Sequence, residues 1–292
     1  MLEGQPSLTA LWVAFSRAVS AYEHDLAPWC PDLVAPALLP RAVTRLIQSQ
    51  DGKPHSQSTL RLLRYATLGL IDHLALRTYL IDEALKAALA SGIDQVVLLG
   101  AGLDARAYRI NAAKDATVFE VDHPSTQTYK RKRAQRLSPT AREVRYAACD
   151  FETVTLEQAL ASVSFDAARR SVWIWEGVTM YLPNAAVSNT LDTIGLLTAT
   201  GSVVSTTYVT PDIAAIGPVL GRVGMGLLSA IAEPVRSMFT PRDMAKELSS
   251  RGLSVQSDVV PLEQAKPLGV SNISKQWLAP DERLVVAKRI DG

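Results

Sequence analysis

Apolar residues recur every three to four positions through Leu8, Leu11, Phe15 and Val19, and again through Leu60, Leu63, Leu70 and Leu74. That is the spacing of one helical face, so residues 7–91 read as mostly helix. Pro28, Pro31, Pro36 and Pro40 cut the first part into short pieces, and residues 50–58 form a polar loop around Gly52 and Pro54. A longer helical stretch passes through Arg77 to Ala90 and closes at Gly92, a residue suited to the left-handed turn that ends helices. From Gln95 onward short apolar runs alternate with helical stretches. The runs predict strands at 95–99, 117–121, 143–148, 171–175, 201–208, 254–259 and 283–289, with helices at 124–137, 184–198 and 241–251 among them. This alternation predicts a parallel, doubly wound α/β sheet. Residues 260–279, between the last two strands, show no clear helix, so that pair is expected to be antiparallel.

Composition narrows the picture. The 292 residues suffice for one large α/β domain with additions. Thirty basic residues against 29 acidic ones give no chain-wide electrostatic case for nucleic acid or an anionic membrane. Two cysteines, Cys30 and Cys149, make neither a disulfide framework nor a metal cluster. His24, His55, His73 and His123 are scattered without metal-ligand spacing, so no metal is expected. Glu3 and Arg17 argue against a secretory leader, and Pro218, Arg222 and several glycines break the most apolar stretch. The reading is a soluble cytoplasmic protein.

The candidate chemistry gathers at the strand ends, where open α/β sheets bind ligands. Val96-Val97-Leu98-Leu99 runs into Gly100-Ala101-Gly102, and the next strand closes on Asp122, twenty residues after Gly102. Glycines let a backbone bend sharply beside a ligand, and an acid at that distance accepts ribose hydroxyls. Gly100, Gly102 and Ala105 equally satisfy the G-x-G-x-x-G/A pattern of dinucleotide sites, so a nicotinamide or flavin cofactor stays open here. The third strand ends in Cys149-Asp150-Phe151, an acid for an exocyclic adenine amine beside a ring to face it. The fourth ends in Trp175-Glu176-Gly177. Asp150 could equally cap a helix, and Glu176 could equally pair with an arginine. Trp173 and Trp175, two apart on a strand, share a face and are expected to pack under a helix. Arg131-Lys132-Arg133 reads as a solvated helix face.

The stretches GAGLDARAYR, FEVDHP, Asp150-Phe151 and WIWEGVTMYL resemble the leucine carboxyl methyltransferase family, and among its members the carboxyl O-methyltransferases of polyketide biosynthesis. The resemblance is good over about 77–200 and looser at the carboxyl end. It implies a class I fold for S-adenosylmethionine (SAM): a seven-stranded sheet with an antiparallel last strand. By position, Gly100, Ala101 and Gly102 would pass the methionine portion, Asp122 would hold the ribose, and Asp150 and Phe151 the adenine. Arg77, within ALRTYLIDEAL, would hold the cofactor carboxylate and Glu176 would lie near its amino group. His123 stands where the family has an apolar or aromatic residue, which leaves the adenine face wetter; Ala105 stands where it commonly has Thr. Residues 1–60 carry no transferable acceptor motif; Tyr181 and His24 are the nominees for an acceptor role.

The resulting expectation has a helical extension or lid at 1–91 and a SAM-binding domain at 92–292, with an apolar, glycine-rich acceptor-pocket insertion at 209–240. The expected reaction is O-methylation of a small biosynthetic acid, with no nucleic-acid or membrane partner. A phenolic acceptor, an NAD(P)-dependent oxidoreductase and a SAM-binding protein without turnover are the alternatives.

Overall fold

The computed structural model describes residues 7–150, 153–211, 234–270 and 282–291. Phe151 and most of the expected insertion (212–233) lie outside the described residues. The sheet has strands β1 (Gln95–Leu99), β2 (Thr117–Asp122), β3 (Glu143–Ala148), β4 (Val172–Trp175), β5 (Val203–Val209), β6 (Leu253–Val259) and β7 (Glu282–Arg289). Their order is β3-β2-β1-β4-β5-β7-β6. Neighbours pair in parallel from β3 across to β5, whereas β7 runs antiparallel to both β5 and β6. The antiparallel final pair expected from the sequence is therefore present.

The helices are α1 (Leu8–Tyr22), α2 (Ala35–Leu38), α3 (Arg41–Thr44), α4 (Gln57–Ala66), α5 (Leu70–Ala90), α6 (Arg106–Arg109), α7 (Pro124–Ala134), α8 (Leu156–Ser162), α9 (Asn184–Leu196) and α10 (Pro241–Ser249). Side chains set several starts: Ser7 accepts from Ala10 N–H, Ser56 from Thr59, and Thr155 with Gln158 makes a reciprocal cap on α8. Strand β4 begins one residue later than its apolar run suggests because Ser171 donates its N–H to the Ser202 hydroxyl instead of the ladder. Residue 201, expected in β5, is a glycine at φ +87° in the turn before it.

Both faces of the sheet are covered, as an apolar parallel strand requires. Val96, Leu98, Val172 and Ile174 pack with α1, α5 and the short N-terminal helices. Val97, Leu99, Trp173 and Trp175 pack on the opposite face with α8, α9 and α10. The two tryptophans thus lie under covering helices, Trp173 fully buried with its indole N–H on the Ser171 hydroxyl.

Two consequences position the site. Strand order reverses between β1 and β4, and a crevice opens beyond the carboxyl ends there. Because β7 is antiparallel, its first residue, Glu282, stands opposite Val209 at the carboxyl end of β5, so a late residue is delivered to the same edge.

Candidate active site

The glycine turn after β1 is shaped by close approach. Gly100 has φ +64°, and a Cβ there would lie 2.6 Å from Val178 Cγ2. Gly102, at φ +45°, would place a Cβ 3.2 Å from that of Ala10 on α1. No side chain fits at Gly100 without moving its neighbour. The turn is then tied to β2: Ala101 N–H donates to Val121 O at 3.0 Å, and Gly102 N–H to Asp122 Oδ2 at 2.5 Å. Asp122 Oδ1 accepts from His123 N–H at 2.6 Å. A carboxylate has about four lone-pair sites, so two remain for ligand hydroxyls. Burial raises the Asp122 pKa, and the two backbone N–H groups partly offset it.

After this turn comes a single helical turn, α6, followed by a 3₁₀ segment over Asn111–Asp115. Its leading N–H, that of Arg106, donates to Asp104 Oδ1 at 2.7 Å. Dinucleotide folds rest a diphosphate on a helix N-terminus at this point. Here a carboxylate already occupies it.

Beneath the crevice lies a buried network of arginines and carboxylates. Arg77 meets Glu176 through Nε and Nη2, both at 2.9 Å, and Glu282 through Nη1 at 2.8 and 3.0 Å. Arg106 Nη1 meets Glu176 Oε2 at 2.7 Å and also Asp104, while its Nε meets Asp82 at 2.7 Å. Arg109 continues to Asp82 at 2.5 Å, and Asp32 lies 3.4 Å from Arg109 and 3.2 Å from Arg17. His73, one turn before Arg77 on α5, holds Glu282 at 2.6 Å. Burial would raise all four carboxyls considered next, but nearby cations win. Arg106 and Arg77 hold Glu176 low, Arg109 and Arg106 hold Asp82 low, and Arg106 holds Asp104 far below the carboxylate range. Against burial, Arg77 and His73 keep Glu282 at about 2. Among the described residues the network joins four guanidiniums to five carboxylates.

The cavity above this floor has a volume of about 370 Å³. Gly100, Ala101, Gly102, Asp122, His123, Asp150, Glu176, Arg77 and Tyr181 all line it. His24 does not; it is exposed on the far part of the N-terminal region, its N–H on Gln57. His123 also caps α7, its Nδ1 accepting from Ser125 N–H at 3.2 Å. The side chain capping α8 is that of Thr155, not Asp150. Arg77 is not an exposed helical arginine: it is 4% exposed and engaged on both edges. Cys149 lines the floor as a neutral thiol, since burial pushes its pKa up to about 11.

Several residues of this site escaped sequence reasoning. Arg17 and Glu282 carry no motif of their own, while Asp82, Asp104 and Arg106 lie within ALRTYLIDEAL and GAGLDARAYR without a role assigned to them. The available signal was charge on apolar faces: α5 buries Asp72, His73, Arg77 and Asp82 among leucines and isoleucines. Buried charges of that kind require partners.

The profile of the family described as "Leucine carboxyl methyltransferase" matches residues 10–195. The chain belongs to the leucine carboxyl methyltransferase family. The match begins well before residue 77, where the recognisable motifs start, so α1 is part of the family pattern. A relative from Mycolicibacterium paratuberculosis, named "Putative S-adenosyl-L-methionine-dependent methyltransferase", is 36% identical over 204 residues, which cover 68% of this chain and 62% of the relative. One of the same name from Streptomyces coelicolor is 35% identical, covering 69% and 65%. The chain thus spans less than two thirds of the length of these curated relatives. Among solved structures, a "putative methyltransferase" from Thermobifida fusca superposes with a TM-score of 0.57 at 17% identity, covering 88% of this chain and 95% of that one. Family and fold agree with the strand order: the sheet is that of the class I methyltransferases. Among the described residues no helix is long and apolar enough to cross a membrane, and no cluster of His, Cys, Asp and Glu could hold a metal.

The Glu282 carboxyl supplies a pH test. Its folded pKa, about 2, lies below the ordinary glutamate value of about 4.3, so its stabilising share is full above that value and fades as pH falls toward 2. Glu282→Gln should lower the urea midpoint at pH 6, and its difference from wild type should shrink between about pH 4.5 and 2. A difference that stays constant through that window would show that Glu282 is not coupled to Arg77.

Proposed function

We propose that this chain transfers the methyl group of SAM to the carboxylate of a small, apolar biosynthetic acid. The observation that carries the cofactor part is the linked pair of Gly102 and Asp122, which sets a bare turn of backbone beside a carboxylate with two free acceptor positions. Asp122 would take the ribose hydroxyls, Asp150 the adenine amine, and Gly100 to Gly102 would lie along the methionine portion. When bound, SAM supplies an activated methyl group on a sulfonium. Glu176, held ionised at the cleft, suits a ligand carrying that positive charge. Asp104 at the start of α6 disfavours the diphosphate of NAD(P) at the corresponding place.

The acceptor would sit between α1 and the segment after β4, against Val13, Val178 and Leu182. A carboxylate oxygen forms a bond to the methyl carbon as the sulfur–carbon bond breaks and its electron pair returns to sulfur. An ionised acid needs no general base, and alignment in a dry cleft can supply about 7–11 kcal/mol. His123 at the cleft favours a second reading, a phenolic acceptor whose proton a base must take.

Calorimetric titration with SAM, S-adenosylhomocysteine and NAD(P) tests the cofactor. Micromolar binding of the first two and none of the last is expected; binding of NAD(P) alone would overturn the reading. Methyl release from labelled SAM against matched carboxylic acids and phenols then separates the acceptors. Transfer to acids, flat with pH once the acid is ionised, supports the first reading; transfer only to phenols, rising with pH, supports the second.

Asp122→Ala should weaken SAM binding by about tenfold or more, since each charge-assisted hydrogen bond contributes about 1.5–3 kcal/mol. Affinity within about twofold of wild type in the folded variant would remove Asp122 from the ribose site.

A further inference from the structure

One wall of the cleft is made by residues 177–182, which follow β4 and include a 3₁₀ turn over Thr179–Tyr181. Gly177, Val178, Tyr181 and Leu182 line the cleft. Thr179 and Met180, between them, are buried and do not line it. Val178 closes on the glycine turn, where a Cβ at Gly100 would lie 2.6 Å from its Cγ2.

The turn is not a strand of the sheet, and hydroxyl groups hold it instead. Gly177 N–H donates to Thr207 Oγ1 at 2.8 Å, and Thr179 Oγ1 donates to Thr207 O at 2.6 Å. These two bonds tie the turn to β5. From the segment before α10, Ser237 Oγ donates to Thr179 O and Arg236 N–H to Met180 O, both at 2.7 Å. Phe239 N–H then donates to Val209 O at 3.0 Å, so residues 236–239 clasp both the turn and the end of β5. Thr179, Thr207 and Ser237 are all buried. Buried bonds between neutral groups add little net stability, but they leave a turn few other positions to adopt.

Strand order says which half of the cleft these bonds control. Asp150 and Asp122 follow β3 and β2, on the far side of β1, whereas the hydroxyls join the ends of β4 and β5. That is the half assigned above to the acceptor. Ser237 also lies outside residues 10–195, the stretch that matches the family profile.

We propose that Ser237 is a positioning residue for the acceptor: through Thr179 O its hydroxyl sets where Val178, Tyr181 and Leu182 stand in the cleft. The proposal rests on the methyl-transfer reading above and gives the acceptor wall a support outside the family match. Ser237→Ala removes one donor and leaves Thr179 O its bond from Leu182 N–H at 3.0 Å, so the fold should survive.

The test compares wild type, Ser237→Ala, Ser237→Thr and Thr179→Val, each checked by thermal melting. The probes are labelled SAM and straight-chain saturated acids from hexanoic to dodecanoic, with KM measured separately for acid and cofactor. In Ser237→Ala the KM for the best acid should rise by about fivefold or more, while that for SAM stays within about twofold. Ser237→Thr keeps the hydroxyl and should bring the acid KM back to within about twofold of wild type. Thr179→Val loses the bond to Thr207 O and should act as Ser237→Ala does; it carries the comparison if that variant does not fold. A purely structural serine would lower the melting temperature and leave the acid KM alone. That result, or acid and SAM constants rising together, overturns the proposal. A second readout needs no acceptor. In the protein without ligand, amide exchange at Tyr181 and Leu182, which bond back to Val178 O and Thr179 O, should quicken about tenfold in Ser237→Ala, with residues 100–104 unchanged. Unchanged exchange at those two amides also overturns it. Wild type that methylates none of the acids would refute the carboxylate reading alone, and the exchange result then decides on Ser237.

Discussion

Arg77, buried in the middle of α5, can be tolerated there only because Glu176 and Glu282 meet it from two different strands. Removing one partner of such a buried pair costs about 3–5 kcal/mol, because the other charge is left without compensation. The same holds for Arg106 between Glu176, Asp104 and Asp82. The charges therefore constrain the fold as much as the apolar faces do. Helix α5, the turn after β1, the end of β4 and the start of β7 must come together, or several charges stay buried and unpaired. An antiparallel β7 is what lets Glu282 reach this edge at all.

The constraint sits under the crevice and shapes its chemistry. It fixes Glu176 and Asp104 as ionised groups on the floor, beside Gly177, where a Cβ would lie 3.5 Å from Nη2 of Arg77. Above it the backbone turn through Gly100 and Gly102 is held by Asp122, so a ligand meets preset donors and acceptors. Preset geometry of this kind suits a reaction whose acceleration comes from alignment and exclusion of water.

Much of the fold was legible because strand and helix periods are local. The seven strands were placed within one or two residues, and the reversal of the last pair followed from a linker without helix. The residues proposed to face the cofactor were legible as strand ends, Arg77 on α5 apart, and all of those within the described residues line one cavity. The supporting charges were not. Arg77 and Glu282 are 205 positions apart, and Arg106 and Glu176 are 70 apart, so no spacing rule links them. The run after Gly102 makes a single helical turn, α6, with Arg106 and Arg109 turned inward to Asp82. Helix α1 offered an apolar stripe and nothing else, although Arg17 interrupts it with a buried charge.

The central claim is that the N-terminal helices belong to the cofactor site through this network. Amide hydrogen exchange with and without S-adenosylhomocysteine tests it directly. The account predicts that ligand slows exchange in residues 8–17 together with 100–104 and 122–124, by about tenfold or more, since all three stretches border one cavity. Protection confined to the strand-end turns, with residues 8–17 exchanging as fast as without ligand, would contradict it.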